Sequence, residues 1–416
     1  MRALLRPALA AALAALSACS GENPAGPITT LPRPLTQVEG QLVQADNRFA
    51  FKLLQATLRT ENPSVNVFVS PVSFAMALGM TWNGANGATE SALLQTLELT
   101  GMTRDGVNDA YRSLIDLLRG LDPNVVFTLA NSIWYRQDYV FDPAFLETNR
   151  TFFDAEVQGL DFTSPASADR INTWVTDRTE GRITSIVPTP LPRDAIMYLI
   201  NAIYFRANWT RQFDAARTQN GPFHRADGST VQVPMMTHGV EVPVRVHREP
   251  GVFVLDLPYG GGAWSATVVM SEPGGSLDSI ALHLTQSQWD GWIAGLDSTE
   301  AVLVLPKFAL RYELSGAKAV LRALGMQPAF CDDVPFPDFT RMYPSGRACI
   351  TDVVHKTFVL VDESGTEAAA VTSIEMGLTS VPQPINVDRP FLFTIRERYS
   401  GTILFLGRIA DPSAGP

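Results

Sequence analysis

Hydrophobic positions along the chain recur with two spacings, one typical of helices and one typical of strands. Apolar residues three or four apart predict helices over residues 40–60, 71–79, 107–119, 143–153, 168–179 and 315–324. Alternating or continuous runs of β-branched and aromatic residues predict strands within 66–70, 125–135, 196–205, 223–269, 301–310, 353–361, 391–397 and 402–408. The two kinds of segment mix without a regular strand–helix–strand order, which predicts an α+β fold with large, mostly antiparallel sheets.

Residues 363–372 read Glu-Ser-Gly-Thr-Glu-Ala-Ala-Ala-Val-Thr, a run of small residues directly after a predicted strand. At a spacing of two, one face of this segment consists only of small residues, namely Thr366, Ala368, Ala370 and Thr372. The opposite face begins with a charge and consists of Glu367, Ala369 and Val371. Such a segment could enter a narrow gap between two strands without overpacking it. It could also stay solvated, because it would expose little apolar surface to water. The pattern indicates either a loop that inserts into a sheet as a switch or a flexible linker.

Residues 1–18 have the pattern of a targeting segment. Arg2 and Arg6 precede an apolar stretch at 8–16 that is too short for a permanent membrane span. The sequence Leu-Ser-Ala-Cys that ends at Cys19 is similar to a bacterial lipobox, in which the cysteine becomes the lipidated first residue of the mature chain. We therefore expect a lipoprotein signal peptide and a lipid on Cys19. A plain cleaved signal peptide is the alternative.

The residues after the cysteine predict where the chain goes and how it is held. The residue after Cys19 is Ser20 and not aspartate, which in Gram-negative lipoproteins favours the outer membrane. We therefore expect an exported outer-membrane lipoprotein that faces either the periplasm or the extracellular side of the cell surface. Residues 19–36 contain four prolines and predict an extended, Pro-rich tether to the membrane. The folded domain is expected over 37–412.

The composition describes a globular protein with an acidic surface. The 416 residues are 46% hydrophobic and 18% charged, which is enough apolar material for a large core. No linker-like break or repeat lies between residues 40 and 410, so one large domain is expected. The net charge is −10, and removal of residues 1–18, which contain two arginines and no acid, brings it to −12. This balance argues against nucleic acid as a partner.

Two cysteines remain besides Cys19. Cys331 and Cys349 lie 18 residues apart in the sequence. An exported compartment permits them to form a disulfide, and two buried free thiols are the alternative.

The chain lacks the usual sequence signatures of catalysis. Its five histidines have no metal-ligand spacing, and there is no HExxH, CxxC or GxSxG motif. Ser315 and Lys318 match the SxxK pattern of penicillin-binding enzymes, but its SDN and KTG companions are absent. The glycines at 260–262 lie in a hairpin context, so they predict no phosphate loop. We expect no cofactor, no metal and no enzymatic activity, and instead a binding or inhibitory protein.

Seven sequence blocks, in order, resemble blocks of the serpin family and cover nearly all of residues 37–412. They are NVFVSPVSFA at 66–75 with GANGAT at 84–89, INTWVTDRTEGRI at 171–183, NAIYFRANW at 201–209, FH at 223–224 with VPMM at 233–236, HKTF at 355–358, DRPFLF at 388–393 and GTILFLG at 401–407. Each block alone is a weak signal, but seven in the same order are highly specific.

The resemblance implies three β-sheets, eight to nine helices and an exposed reactive-centre loop at about 365–384. In that family a protease cleaves the loop, forms an acyl-enzyme, and is carried across the molecule when the hinge inserts into the main sheet. The hinge would consist of Glu363, Gly365, Thr366, Glu367, Ala368, Ala369, Ala370, Val371 and Thr372. Their small inward side chains favour a suicide inhibitor of serine proteases, which forms a covalent complex with its target. We also expect a monomer. A non-inhibitory serpin, acting as a binding or chaperone-like module, is the alternative.

The scissile bond follows from the spacing that the resemblance implies. Serpin loops usually place seventeen residues from the hinge glutamate through the acyl-side residue, which predicts cleavage between Thr379 and Ser380. A slip of one residue would place it between Leu378 and Thr379. Threonine suits an elastase-like pocket and leucine a chymotrypsin-like one. No Arg or Lys lies in 365–388, so trypsin-like targets are not expected, whereas a cysteine protease stays open as a target.

Five further residues match polar and aromatic positions of the family's main sheet. The residues are Ser70, Ser73, Asn201 and His355 of the buried "shutter", and Trp209 of the "breach", where insertion begins. Ordinary buried hydrogen bonding is the alternative interpretation for the four polar ones. Ala207 stands where the family usually has glycine. The region that matches the family's helix D is not basic, so activation by glycosaminoglycans is not expected.

Overall fold

The computed structural model describes residues 26–332, 334–366 and 384–415, which fold into nine α-helices around three β-sheets. The helices are α1 Gln37–Thr60, α2 Pro71–Asn83, α3 Gly87–Thr96, α4 Arg104–Leu118, α5 Pro143–Phe153, α6 Pro165–Arg178, α7 Leu277–Ala281, α8 Gln286–Ala294 and α9 Ala317–Leu321. The strands are β1 Val67–Val69, β2 Val125–Arg136, β3 Ala155–Leu160, β4 Met197–Asn208, β5 Gln219–His224, β6 Thr230–Thr237, β7 Val242–Glu249, β8 Val252–Tyr259, β9 Trp264–Ser271, β10 Asp297–Ala301, β11 Leu303–Pro306, β12 Phe308–Glu313, β13 Lys356–Val361, β14 Gly365–Thr366, β15 Ile385–Asn386, β16 Phe391–Glu397 and β17 Ile403–Ile409.

The three sheets differ in size and in position. A six-stranded sheet has the order β12-β13-β14-β4-β2-β3, a seven-stranded sheet has the order β1-β17-β16-β9-β8-β7-β10, and a four-stranded sheet has the order β15-β11-β6-β5. All described pairings are antiparallel except β2 with β3 and β11 with β15. The prediction of an α+β fold with large, mostly antiparallel sheets is therefore confirmed. No helix in residues 26–332, 334–366 and 384–415 is long and apolar enough to cross a membrane.

Local sequence signals account for where the main helices begin. Helix α2 starts at Pro71, and the Ser70 hydroxyl accepts a hydrogen bond from the Ser73 N–H at the first turn. Helix α1 starts with a capping box, in which Thr36 and Glu39 each bond the other's backbone N–H. The predicted helix at 168–179 begins three residues earlier than expected, at Pro165, because proline is well suited to the first helical position.

One helix and its connection lie over the outer face of the six-stranded sheet. Helix α6 packs its apolar residues against β2 and β4 and forms a small core there, separate from the main core between the sheets and the other helices. Its buried members include Trp134, Ile171, Trp174, Val175, Ile200 and Ala202. The connection that follows α6 thus covers the outer side of the sheet next to β4.

The second half of the predicted tether lies on the body of the protein. The Ile28 N–H donates a hydrogen bond of 2.8 Å to the Gly261 carbonyl, and Arg33 forms a bidentate ion pair with the buried Glu39 at 2.6 and 2.8 Å. The hydrogen bond from Arg33 is the main reason why the pKa of Glu39 falls to about 2. Residues 28–36 are therefore held on the body at Ile28 and Arg33, although most of their side chains are exposed. The predicted signal peptide, Cys19 and residues 20–25 lie outside the described residues.

Helices α1 and α4 share a buried acid. Asp46 is 4% exposed, and the Tyr111 hydroxyl donates a hydrogen bond of 3.0 Å to its Oδ1. Its Oδ2 has no partner among the described residues. Burial raises the pKa of Asp46 to about 7, and the hydrogen bond from Tyr111 and the charge of Arg48 offset this only in part.

Replacing Asp46 with asparagine is expected to change the pH dependence of stability. The folded-state pKa of Asp46 lies above its unfolded value, so its contribution is present at acid pH and is lost as pH rises through about 7. Asp46→Asn keeps the acceptor for Tyr111 and removes the titration. The variant should match the parent near pH 4 and resist urea better at pH 8, by a few kcal/mol at most, since one pKa unit equals about 1.4 kcal/mol.

Urea midpoints of the first unfolding transition between pH 4 and 8 check this prediction. Asp109→Asn is the matched control, because Asp109 is an exposed aspartate on α4. If both variants keep the pH dependence of the parent protein, Asp46 does not titrate in the way that its burial implies.

Candidate functional site

The six-stranded sheet has an incomplete strand at its centre. Strand β14 contains only two residues, which pair with Asn208 and Ala207 of β4 on one side and with Val361 of β13 on the other. Beyond these pairs, β4 pairs with β2 and β13 pairs with β12 among the described residues. Most of the two facing strand edges thus has no described partner strand between them, and this interval is called the slot.

Glycine is required where β14 enters the slot. A Cβ atom on Gly365 would lie 2.0 Å from the carbonyl oxygen of Ala207 and 2.6 Å from the Cα of Asn208. No side chain fits at that distance, so Gly365 is fixed by the close approach of two backbones. Thr366 follows and is 2% exposed, with its side chain turned into the core.

A cavity of about 280 Å³ extends along the slot away from β14. Its walls come from the first half of β4, the segment that leads into β13, helix α2 and the connection after α6. Most of the lining is apolar and includes Phe74, Val175, Met197, Leu199, Ile203 and Val353. The sheet therefore contains a preformed apolar space at the level where a further strand would lie.

The predicted shutter residues lie around this cavity and form two groups. The Ser70 N–H donates to His355 Nε2 at 3.0 Å, and the Ser70 hydroxyl donates to the Leu404 carbonyl at 2.8 Å. The His355 ring lies 4.3 Å from the ring of Phe74. Ser73 and His355 both line the cavity. Because Nε2 accepts a hydrogen bond and burial lowers the pKa of His355 to about 3, the imidazole is neutral.

Asn201 lies on the other wall of the cavity. Its Nδ2 donates a hydrogen bond of 2.9 Å to Asn131 Oδ1 on the neighbouring strand β2. Its Oδ1 is buried and has no hydrogen-bond partner among the described residues. A buried acceptor without a donor costs free energy, so this atom is ready to accept a hydrogen bond from a group that enters the slot.

Trp209 holds the segment that leads into β14. Its backbone N–H donates to the Ser364 carbonyl at 2.8 Å, and its indole Nε1 donates to the Asp362 carbonyl at 2.9 Å. Its ring stacks on Tyr259 with the centroids 4.4 Å apart, and the Tyr259 hydroxyl lies 2.7 Å from Thr366 Oγ1. Sequence analysis missed Tyr259. Its position directly before Gly260-Gly261-Gly262, where the backbone turns tightly, was the available signal.

A second set of contacts holds Glu363, the first hinge residue. Lys307 Nζ and Thr218 Oγ1 each donate to its carboxylate at 2.8 Å, and the Phe213 N–H donates to its carbonyl at 2.8 Å. Burial alone would raise the pKa of Glu363, but the hydrogen bonds from Lys307, the backbone and Thr218 outweigh it and lower the pKa. We call Glu363, Lys307 and Thr218 the clamp. Sequence analysis did not find Lys307 or Thr218, because nothing local links three positions so far apart.

The structure places some of the predicted site residues and leaves others outside its range. Glu363, Gly365 and Thr366 come together with Trp209 at one end of the slot. The remaining predicted hinge and scissile residues lie outside the described residues, namely Glu367, Ala368, Ala369, Ala370, Val371, Thr372, Leu378, Thr379 and Ser380. The chain resumes at Pro384, and β15 pairs in parallel with Leu303 and Val304 of β11.

The two cysteines and the SxxK lysine, which the sequence also offered as candidates, take part in contacts that stabilise the fold. Cys331 and Cys349 are joined by a disulfide with an S–S distance of 2.06 Å, and Cys349 lines one end of the cavity. Lys318 Nζ donates to Asp332 at 2.8 Å and to the Thr351 carbonyl at 3.2 Å, so this lysine does not act on Ser315 here. Within residues 26–332, 334–366 and 384–415, no group of three His, Cys, Asp or Glu side chains could hold a metal ion.

Comparisons with known proteins agree with this architecture. Residues 44–412 match the family model described as "Serpin (serine protease inhibitor)". The chain is 34% identical to human Serpin B9 over 89% of this chain and 99% of that protein. It is 33% identical to the leukocyte elastase inhibitor of Sus scrofa, over 89% of this chain and all of that protein. It is also 33% identical to an uncharacterized serpin-like protein of Thermococcus kodakarensis, over 95% of this chain and 93% of that protein.

Solved structures show the same fold. Human thyroxine-binding globulin complexed with thyroxine superposes with a TM-score of 0.80 and 27% identity, over 90% of this chain and 99% of that chain. The thermophilic serpin tengpin in its native state also superposes with a TM-score of 0.80, at 25% identity, over 93% of this chain and 97% of that chain. The likeness therefore covers nine-tenths or more of this chain.

Proposed function

The chain belongs to the serpin family, and from that premise we propose that it inhibits serine proteases as a suicide substrate. In this proposal the target cleaves the reactive loop, remains bound as an acyl-enzyme, and is trapped when residues 367 onward enter the slot. The observation that carries the proposal is the slot itself, which is preformed, apolar and already entered by Gly365 and Thr366.

The register of β14 predicts where each inserted residue would lie. Continuing the antiparallel pairing places Ala368 between Phe205 and Val359, and Ala370 between Ile203 and Thr357. These four neighbours are 2–9% exposed, so the inserted side chains would point into the core. Small residues fill such positions without overpacking, which is why this alanine-rich segment suits the slot.

The same register gives a hydrogen-bond partner to the buried Oδ1 of Asn201. Thr372 would lie between Asn201 and His355, with its hydroxyl next to the free Oδ1 of Asn201. On the outer face, Glu367 would lie opposite Arg206, which is exposed. Insertion would therefore add a buried hydrogen bond and a surface ion pair to the new backbone hydrogen bonds.

The chemistry of the trap needs no catalytic group from this chain. The protease serine oxygen bonds to the carbonyl carbon of Thr379, or of Leu378 in the alternative register, and the following residue leaves as a free amine. Residues before the break are then tied to the protease by an ester and are no longer tied to β15. Their insertion carries the protease along the sheet and away from the geometry that its deacylating water requires.

The side chains of the loop favour a target with a small or apolar primary pocket. Thr379 suits an elastase-like enzyme and Leu378 a chymotrypsin-like one, while 365–388 contains no Arg or Lys. A relative named leukocyte elastase inhibitor supports this class of target by similarity. We further propose that the protein acts as a monomer and is exported, with Cys19 acylated as the pattern at 16–19 indicates.

Cleavage of the loop tests whether insertion is downhill. If about ten new backbone hydrogen bonds form, each worth about 1 kcal/mol, and 1 kcal/mol shifts Tm by about 1 °C in a domain of this size, the cleaved protein should melt about 10 °C higher. Limited digestion within 373–383 followed by calorimetry measures the shift. An unchanged Tm would support the alternative of a non-inhibitory binding or chaperone-like serpin.

A further inference from the structure

The N-terminal segment is fastened next to the hinge. The Ile28 N–H donates to the Gly261 carbonyl at 2.8 Å, and the Tyr399 hydroxyl donates to the Ile28 carbonyl. The Ile28 side chain packs against the main core, whereas Gly26 and Pro27 are exposed. The chain therefore leaves the body at Pro27 and is held on the body from Ile28 onward.

The turn that receives Ile28 belongs to the same end of the molecule as β14. Gly260 donates its N–H to the Asn208 carbonyl at 2.8 Å, and its own carbonyl accepts a hydrogen bond from Thr210 at 2.9 Å. Asn208 is the residue that pairs with Gly365. The Asp122 carboxylate accepts the Gly261 N–H at 2.7 Å and fixes the turn. We call this end, which carries β14, β15 and the turn at 260–262, the loop pole.

The covalent reach from Cys19 to this turn is short. Nine residue steps separate Cys19 from Ile28 and span at most about 30 Å when fully extended. The twelve residues of β4 alone measure about 40 Å from the loop pole to the far end. If Ile28 were released, the next residue held on the body would be Arg33, which is paired with Glu39, and the reach from Cys19 would grow to fourteen residue steps, or about 46 Å, which exceeds the length of β4. The fastening at Ile28 is thus what limits how the body can lie relative to an anchor on Cys19.

We propose that the membrane-anchored protein presents its loop pole to the lipid surface. This inference rests on the proposed acylation of Cys19 and deepens the proposed function. The partner that fits is a serine protease held at the same membrane, because its active site would already lie within the gap of about 30 Å that the tether allows. Strand insertion along β4 would then carry the trapped protease away from the bilayer.

Energy transfer to the membrane measures this orientation. The disulfide and the acylated Cys19 leave one free thiol after either of two substitutions. Asn386→Cys places a dye at the exposed end of β15, at the loop pole. Val140→Cys places it four residues beyond the opposite end of β2, at a position that is 78% exposed. Both acylated proteins are bound to phosphatidylethanolamine–phosphatidylglycerol vesicles that contain a rhodamine lipid.

We expect several-fold stronger transfer from position 386 than from position 140. Equal transfer, or stronger transfer from position 140, would overturn the proposal. Ile28→Asp places a charge where the Ile28 side chain packs against the core, next to the turn that Asp122 holds, so it should release the segment and bring the two signals closer, whereas Ile28→Val should keep them apart. Unchanged orientation in Ile28→Asp would also count against the mechanism argued here.

Intact mass and vesicle flotation separate this inference from the anchor on which it rests. If the mature chain lacks the diacylglycerol on Cys19 and does not float, both the proposed anchor and the proposed orientation are wrong. If the chain is acylated and floats, but shows equal transfer from both positions, the anchor is supported and only the proposed orientation is wrong. Neither result affects the inhibitory mechanism, which is measured with soluble protein.

Discussion

Replacing Ala370 with arginine is expected to convert the inhibitor into a substrate. In the proposed register Ala370 faces the core between Ile203 and Thr357, which are 9% and 4% exposed. Burying a guanidinium there without a partner costs several kcal/mol and also overpacks the site. Since insertion competes with deacylation and about 1.4 kcal/mol changes such a ratio tenfold, the fraction of protease trapped should fall at least tenfold. The moles of inhibitor consumed per mole of protease measure this fraction.

Two control variants separate the inward face from a general effect on the loop. Ala370→Ser keeps a small side chain at the same position and should inhibit like the parent. Glu367→Gln changes the outward position opposite the exposed Arg206 and should also retain trapping. If Ala370→Arg traps protease as efficiently as Ala370→Ser, residue 370 does not face the core, and the proposed register is wrong.

Replacing Glu363 with lysine is expected to shorten the lifetime of the active form. Glu363 is 9% exposed and accepts hydrogen bonds from Lys307 and Thr218, so a lysine there would face Lys307 with a like charge. The clamp holds the segment just before β14, and its loss would free that segment to enter the slot or to leave it. Lys307 is 40% exposed and therefore partly screened, so the effect is about 1 kcal/mol, or roughly fivefold in the half-life of inhibitory activity at 37 °C.

A charge swap tests whether the clamp is the cause. Glu363→Lys combined with Lys307→Glu restores an opposite pair at the same two positions, and it should recover most of the lost half-life. Glu363→Gln removes the charge but keeps an acceptor for Lys307 and Thr218, so it should lie between the parent and Glu363→Lys. If the swapped pair decays as fast as the single variant, the ion pair does not stabilise the active form.

Many helices and strands could be predicted from the sequence, because apolar runs and capping residues act on their own segment of the chain. The continuous apolar run at 196–205 became β4, and Ser70 with Pro71 began α2 where their capping chemistry predicts. Helices α7 and α8 within 277–294 were missed, since one has five residues and the other nine, too few for a clear helical period.

The site was less accessible to sequence reasoning, because it depends on contacts between distant segments. The small face at 366–372 predicted a segment that enters a sheet, and the structure describes its first residue, Thr366, in the six-stranded sheet. Lys307, Thr218 and Tyr259 became visible only when the fold brought them to the hinge. The fastening of Ile28 was hidden for the same reason, since its partners Gly261 and Tyr399 are more than 200 residues away.

The most direct test of the proposed mechanism is the covalent complex itself. The mature protein is incubated with elastase-type and chymotrypsin-type proteases and analysed by denaturing gel and intact mass. We predict an SDS-stable complex and a released C-terminal peptide that begins at Ser380, or at Thr379 in the alternative register. Clean cleavage of the loop with no complex, for both protease types, would contradict the trap and leave the slot as a feature of fold alone.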